Sequence, residues 1–147
     1  MNNQLKEVLD FANTNPSSWF ATCENEQPSV RGMLMWFADE TGFYFHTAEA
    51  KQIFTQLKKN PLVEVAFIRN QDDPVNFETL RVKGTVEVVK DAELEKRLFE
   101  DRPWLWGNIN RSSVDTGVAI FRIVKGNAFI WNMTYNVRES EAPRISF

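Results

Sequence analysis

Residues 79–89 read Thr-Leu-Arg-Val-Lys-Gly-Thr-Val-Glu-Val-Val. Leu80, Val82, Val86 and Val88 fall on one face, and Arg81, Lys83, Thr85 and Glu87 on the other. That is the period of a strand buried on one side only. Gly84 interrupts the inward row, which predicts a bend or bulge that lets a sheet curl. A curled, one-sided strand needs further strands of the same kind to complete a core, and the chain supplies them.

Leu62–Arg69 reads as a strand with Val63, Val65 and Phe67 on one face. A short strand is predicted over 19–23. Residues 30–37 alternate, with Arg31, Met33 and Met35 against Val30, Gly32, Leu34 and Trp36. With 43–46 they form an expected hairpin that has Gly42 in its turn. A last hairpin is expected from 118–124 and 128–132, turning at Lys125-Gly126-Asn127.

Helical spacing marks three segments. In 3–13 the apolar positions are Leu5, Val8, Leu9 and Ala12. In 48–59, opened by Thr47 and stopped by Asn60-Pro61, they are Ile53, Phe54 and Leu57. The third follows Asp91 as cap, with Leu94 and Leu98 buried. Residues 102–110 hold Pro103-Trp104-Leu105-Trp106-Gly107, too aromatic for an idle solvent loop. About six short strands and three helices predict a mostly β chain, a small closed or split antiparallel barrel with helices on its outside.

At 147 residues the chain fits one compact domain, 1–147. Twelve Phe and five Trp are unusual. Either the core is rich in rings, or some rings line a flat ligand or an interface. A formal charge of −3 and a pI near 5.3 argue against general nucleic-acid binding. The one cysteine, Cys23, permits no intrachain disulfide and suits a reducing compartment. The first residues lack a signal-peptide pattern, and no apolar run reaches membrane-spanning length. The expectation is a cytoplasmic protein with no membrane partner.

The familiar nucleotide and hydrolase motifs are absent. One histidine and one cysteine cannot build the usual transition-metal cluster, so no metal site is expected. The chemistry that remains lies in 31–51. A strand carrying Arg31 is followed by a strand end at His46-Thr47 that delivers the chain into a helix start, with Lys51 about one turn in. Free backbone N–H groups, a hydroxyl and two cations there suit an anion such as phosphate. Each residue alone also fits a solvated or capping role, and their combination leaves the two readings even. Thr79 and Arg81 project from the polar face of the best strand, where a ligand could use both. Trp104, Trp106 and Trp131 are candidate core or interface anchors. No general acid–base pair is visible.

In order and spacing, four runs resemble the pyridoxamine 5′-phosphate oxidase-like, FMN-binding split-barrel superfamily. They are Pro28-Ser29-Val30-Arg31-Gly32-Met33, Phe43-Tyr44-Phe45-His46-Thr47 leading to Lys51, Asn60-Pro61-Leu62-Val63, and Leu80-Arg81-Val82-Lys83-Gly84-Thr85-Val86-Glu87. The chain looks most like the short bacterial members known as general stress proteins. The resemblance implies a six-stranded antiparallel split β-barrel with peripheral helices. It also implies a homodimer with FMN in clefts made by both subunits. The implied cofactor contacts are Arg31, Gly32, Met33 and Leu34, then His46, Thr47 and Lys51, and Thr79 and Arg81 at the border. The implied activity is flavin-dependent oxidoreduction on a small molecule or electron donor that the sequence does not name. A flavin-binding carrier or sensor without turnover is the alternative, and heme, a deazaflavin or no ligand at all could stand in place of FMN. The chain departs from the full oxidases in three places. It lacks their histidine-containing basic tail, having only Arg138 and Arg144 there. It has Trp36 where they often carry lysine, and Ala50 where they often carry arginine.

Overall fold

The computed structural model describes residues 1–108 and 117–147, without the side chains of Trp106 and Asn108. Its order is α1 (Asn3–Thr14), β1 (Ser17–Glu24), β2 (Gln27–Leu34), β3 (Phe37–Asp39), β4 (Gly42–Ala48), α2 (Gln52–Lys59), β5 (Leu62–Arg69), β6 (Glu78–Val89), α3 (Ala92–Asp101), β7 (Val118–Trp131) and β8 (Arg144–Ser146). Short 3-10 turns occupy Pro103–Asn108, Met133–Tyr135 and Glu139–Glu141. The pairing order is β2-β1-β5-β6-β7-β4-β3, with β8 added on β7, and these pairings are all antiparallel. The chain is therefore mostly β with peripheral helices, as expected, but with eight strands among the described residues rather than about six.

The sheet curls without closing. Its end strands, β2 and β3, are consecutive in sequence but do not pair. Only Met35 and Trp36 lie between them. The Met35 N–H donates to Pro16 O, beside β1, at 2.9 Å, and the Trp36 N–H donates to Tyr44 O on β4, also at 2.9 Å. One peptide step thus carries the chain from one edge of the split to the other. This corrects the first expected hairpin. Gln27–Leu34 pairs with β1 through a turn at Asn25 and Glu26, both at positive φ, and only Phe37–Asp39 pairs with β4.

The second expected hairpin is also corrected. Val118–Trp131 is one continuous strand on β6, and residues 125–127 do not reverse it. They face Gly84 instead, where the register shifts between Lys83 and Thr85, so the bulge expected at Gly84 is present. A Cβ on Gly126 would lie 1.7 Å from Lys83 O, and one on Gly84 would lie 2.6 Å from Ile123 Cγ2. Two glycines let the strands approach closely where the sheet bends. Beyond the bulge the inward row runs on to Val86 and then gives out, and Val88 is exposed.

The abundance of Phe resolves in favour of a ring-rich core. Phe20, Phe43, Phe45, Phe67 and Phe121 are buried inside the curl, and Phe129 is buried on the opposite face under Arg81 and Arg144. Phe45 and Phe121 stack at 5.7 Å, and Phe20 meets both edge-on. Helix α1 adds Val8, Leu9, Phe11 and Ala12 to this core. Asn13 ties the helix to β3 by bonding both the N–H and C=O of Ala38 at 2.8 Å. A second cluster covers the outside of β4 and β7. It joins Tyr44 and Ile120 to Leu98 and Phe99 of α3 and to Leu105. Asp91 caps α3 as expected, accepting from the Glu93 and Leu94 N–H groups.

Candidate functional site

Strand β2 ends the sheet, so one of its edges has no partner strand. Its side chains alternate as predicted, with Arg31 and Met33 half-buried and Val30, Gly32 and Leu34 exposed. Arg31 reaches across β1 to α2. Its Nη1 donates to Thr22 Oγ1 at 2.8 Å and its Nη2 to Gln56 Oε1 at 2.7 Å. Both acceptors are neutral. Partial burial without a carboxylate lowers the Arg31 pKa.

Helix α2 starts later than the sequence suggests. Thr47 belongs to β4 and is buried, and Lys51 is the N-cap rather than a residue one turn in. Thr47 and His46 point to opposite faces of β4, Thr47 with the Phe45 core and His46 with the outer cluster. Lys51 is exposed and makes no side-chain cap, so no side chain closes the α2 terminus. A cation is a poor residue there, because the terminus already carries positive dipole charge and a lysine has no acceptor for the N–H groups. Gln56 lies five residues along the same helix, so Arg31 is held about 7.5 Å of axial rise from Lys51.

His46 meets a residue that no motif suggested. Arg102, directly after α3, is buried. Its Nη1 lies 2.6 Å from His46 Nε2 and 3.2 Å from Leu34 O, and its Nη2 donates to Met35 O at 2.5 Å. Trp104 lies beside both, with its ring 6.1 Å from that of His46. Burial first, then the charges of Arg102 and Lys51, push the imidazole pKa down to about 4. His46 is therefore neutral at pH 7.

Arg31, Lys51 and Arg102 lack a carboxylate partner within salt-bridge distance among the described residues, although the chain as a whole is acidic. Lys51 and Arg102 both act on His46 near the end of β4, and Arg31 stands in mid-β2, tied to Gln56 of α2. Arg81 differs from them. It bonds Glu64 at 2.7 Å and Glu139 at 2.8 Å and lies over the Phe129 ring. It shares a cross-strand row with Gly32 through Trp19 and Ala66, three strand spacings or about 14 Å away. Thr79 lies two residues from Arg81 on the same side of β6. The structure thus brings His46 and Lys51 together and fixes Arg31 farther along the same helix. It sets Thr79 and Arg81 across the exposed sheet face from Gly32 and Leu34.

Trp19, Val30 and Leu34 are exposed on that face, at 55%, 64% and 45%. A groove of about 1020 Å³ runs beside them, walled in part by Ser17, Gly32, Leu34 and Ile68. Trp131 packs on Phe77, whereas Trp104 is exposed. The Trp106 side chain and residues 109–110 of the aromatic segment lie outside the described residues. Sequence reasoning missed Thr22, Gln56 and Arg102. Only Gln56 left a signal, a polar residue three places from Ile53 on the stripe that buries Ile53 and Leu57.

An open antiparallel curl with an edge strand, and cations beside it that lack a salt bridge, defines a split-barrel protein with a candidate anion cleft. The chain belongs to the pyridoxamine 5′-phosphate oxidase family, whose model matches residues 5–129. It is 34% identical over 84 residues to pyridoxine-5′-phosphate oxidase of Dictyostelium discoideum, a match covering 56% of this chain and 34% of that protein. The chain therefore spans about a third of the length of that relative.

Among solved structures, a NimC/NimA family protein from Clostridium acetobutylicum is 25% identical with a TM-score of 0.76, covering 99% of this chain and 94% of that one. General stress protein 26 of Bacillus anthracis is 17% identical with a TM-score of 0.73, covering 98% and 99%. An FAD-binding protein from Mesorhizobium loti is 16% identical with a TM-score of 0.64, covering 84% and 88%. Among the described residues no helix is long and apolar enough to cross a membrane.

Proposed function

We propose that this chain binds FMN as one split-barrel domain, 1–147, and acts as a cytoplasmic flavin-dependent oxidoreductase on a small molecule. The observation that carries the reading is a set of three cations, Arg31, Lys51 and Arg102, none of them salt-bridged to a described carboxylate, on the strands and helix that flank the split. One of them, Lys51, stands at a helix start that no side chain caps. These residues fit a phosphate-bearing group. Lys51 and the first N–H groups of α2 would take the phosphate. Arg31 would add positive charge beside it. Gly32, Met33 and Leu34, with their free strand edge, would border the ring. His46 and Thr47 would stand at the β4 end, and Thr79 and Arg81 at the far margin. Family membership and the FAD-binding fold neighbour support a flavin.

When bound, the flavin supplies the electron transfer, and the protein supplies position and electrostatics. Uncompensated cations would stabilise negative charge as the ring is reduced. We further propose a homodimer. Trp19, Val30 and Leu34 form an apolar face beside the free β2 edge, and a second copy would bury it and complete the cleft.

The test begins with purified protein, its colour and the chromophore released on denaturation. Anaerobic reduction by a nicotinamide donor and reoxidation by an acceptor follow. The expectation is released FMN and turnover. Bound flavin that never cycles would favour the carrier or sensor reading. Colourless protein that takes up no added FMN would overturn the flavin reading.

A further inference from the structure

Arg102 sits where the barrel splits, and its three acceptors come from both sides of the split. Leu34 O ends β2, Met35 O lies in the crossing peptide, and His46 Nε2 belongs to β4. A guanidinium has no lone pair to offer, so His46 Nε2 must be the acceptor. The neutral ring then carries its proton on Nδ1. No described residue accepts from Nδ1, and no buried side-chain nitrogen or oxygen among the described residues lacks a partner. The Nδ1 edge is therefore the one left for a ligand.

Charges reach this ring from two elements. Arg102 follows α3 and Lys51 caps α2. Asp101, which acts on Arg102, is itself engaged by Trp36 Nε1 at 2.9 Å and by Arg97 at 3.4 Å. On β7, the residue opposite His46 is Ile120, which is apolar. No described carboxylate is thus in position to favour a charged imidazole.

We propose that Arg102 is a positioning residue of the cleft, holding His46 in the Nδ1–H tautomer so that the ring donates one hydrogen bond to a neutral or anionic acceptor of the bound ligand. The same guanidinium fixes the carbonyls of Leu34 and Met35, so the β2 and β4 walls of the cleft are set as one unit. The choice of a flavin as that ligand rests on the function proposed above. The tautomer and its cause do not.

His46 is the only histidine, so its two ring nitrogens give the only imidazole signals in a ¹⁵N-labelled sample. Wild-type protein should show Nδ1 protonated and Nε2 bare from pH 8 to below pH 6. Arg102→Met should let both tautomers appear and move the ring's titration upward by at least tenfold in proton affinity. Arg102→Lys keeps a cation but cannot bridge three acceptors, and should restore the tautomer only in part. Added FMN should move the Nδ1 signal in wild-type protein and bind at least tenfold more weakly to Arg102→Met. A wild-type ring protonated on Nε2 would overturn the proposal. So would titration at the ordinary histidine value, or a folded Arg102→Lys variant with unchanged ring signals. If Arg102→Met does not fold, the wild-type spectrum and Arg102→Lys still decide. A protein showing the Nδ1–H tautomer but taking up no FMN supports the role of Arg102 and refutes the flavin reading.

Discussion

Gln56 Oε1 accepts the Nη2 of Arg31 at 2.7 Å, so one helix side chain holds the guanidinium of the terminal strand. Thr22 Oγ1 donates to the same oxygen at 2.9 Å while accepting from Arg31 at 2.8 Å. The three form a closed triangle linking β1, β2 and α2. Gln56→Leu removes the acceptor for both donors. It should cost about 1.5–3 kcal/mol in urea unfolding, the range for a hydrogen bond to a charged group. It should also weaken FMN binding, because Arg31 is no longer fixed. Unchanged stability would show that the triangle contributes nothing.

Lys51→Asp separates stability from binding. The N-cap backbone is already extended, with φ −78 and ψ 147, so an aspartate there could accept from the first N–H groups. Folding stability should rise by about 1 kcal/mol, through capping and the helix dipole. Affinity for FMN should fall at least tenfold, while riboflavin, which lacks the phosphate, should lose little. Equal losses for both ligands would place Lys51 elsewhere than at the phosphate.

Gly126→Ala should be strongly destabilising. Its Cβ would overlap Lys83 O, and backbone cannot swing aside as a flexible side chain can. A loss of several kcal/mol, or failure to fold, is expected from overpacking at a fixed bulge. Gly107 is the control. No described atom lies within 4 Å of its Cβ position, so Gly107→Ala should stay within about 0.5 kcal/mol of wild type. Thermal unfolding of the pair gives the comparison.

The His46 pKa is depressed on folding, from 6.5 to about 4. The unfolded chain therefore takes up this proton first as pH falls. Stability tied to neutral His46 is present in full above pH 6.5 and is lost as pH drops through about 4. The extra slope cannot exceed one proton, about 1.4 kcal/mol per pH unit. His46→Gln keeps an acceptor for Arg102 and cannot titrate. The wild-type stability profile should fall more steeply than that of His46→Gln between pH 6.5 and 4, and run parallel to it above. Parallel profiles throughout would mean that the ring is not held neutral.

Trp19→Glu should separate the proposed subunits. The indole is 55% exposed at the centre of an apolar face, so its loss costs the single subunit little. Sedimentation should show a dimer for wild type and a monomer for the variant, with weaker FMN uptake if both subunits line the cleft. A wild-type monomer would remove the dimer from the proposal.

Much of the fold was legible because alternation is local. The apolar faces of Leu62–Arg69 and of β6 as far as Val86, the Asp91 cap and the Gly84 bulge all follow from residues a few positions apart. Both expected hairpins failed for one reason. Gly42 and residues 125–127 look like turns, but a turn signal does not say which strand is the partner. Residues 125–127 spend their glycine on a close approach to Gly84. Val30 to Leu34 finds its partner in β1. The candidate site was half legible. Arg31, His46 and Lys51 stood in recognisable runs, whereas Arg102 follows a helix end like any solvated arginine. Its three acceptors lie 56 to 68 positions away in sequence.

By itself the sequence determined which faces are apolar and to which family its ordered runs belong. These properties rest on side-chain chemistry and short-range periodicity. Tertiary structure alone decided that the sheet stays open at Met35 and Trp36, that Lys51 begins its helix without a capping side chain, and that a buried arginine sets the tautomer of the single histidine. Each of these depends on pairing between separate segments: Met35 and Trp36 bond Pro16 and Tyr44, β7 holds β4 extended to Ala48 just before Lys51, and Arg102 bonds His46. Such bonds are chosen by whichever packing satisfies the buried donors, and no local pattern records that choice.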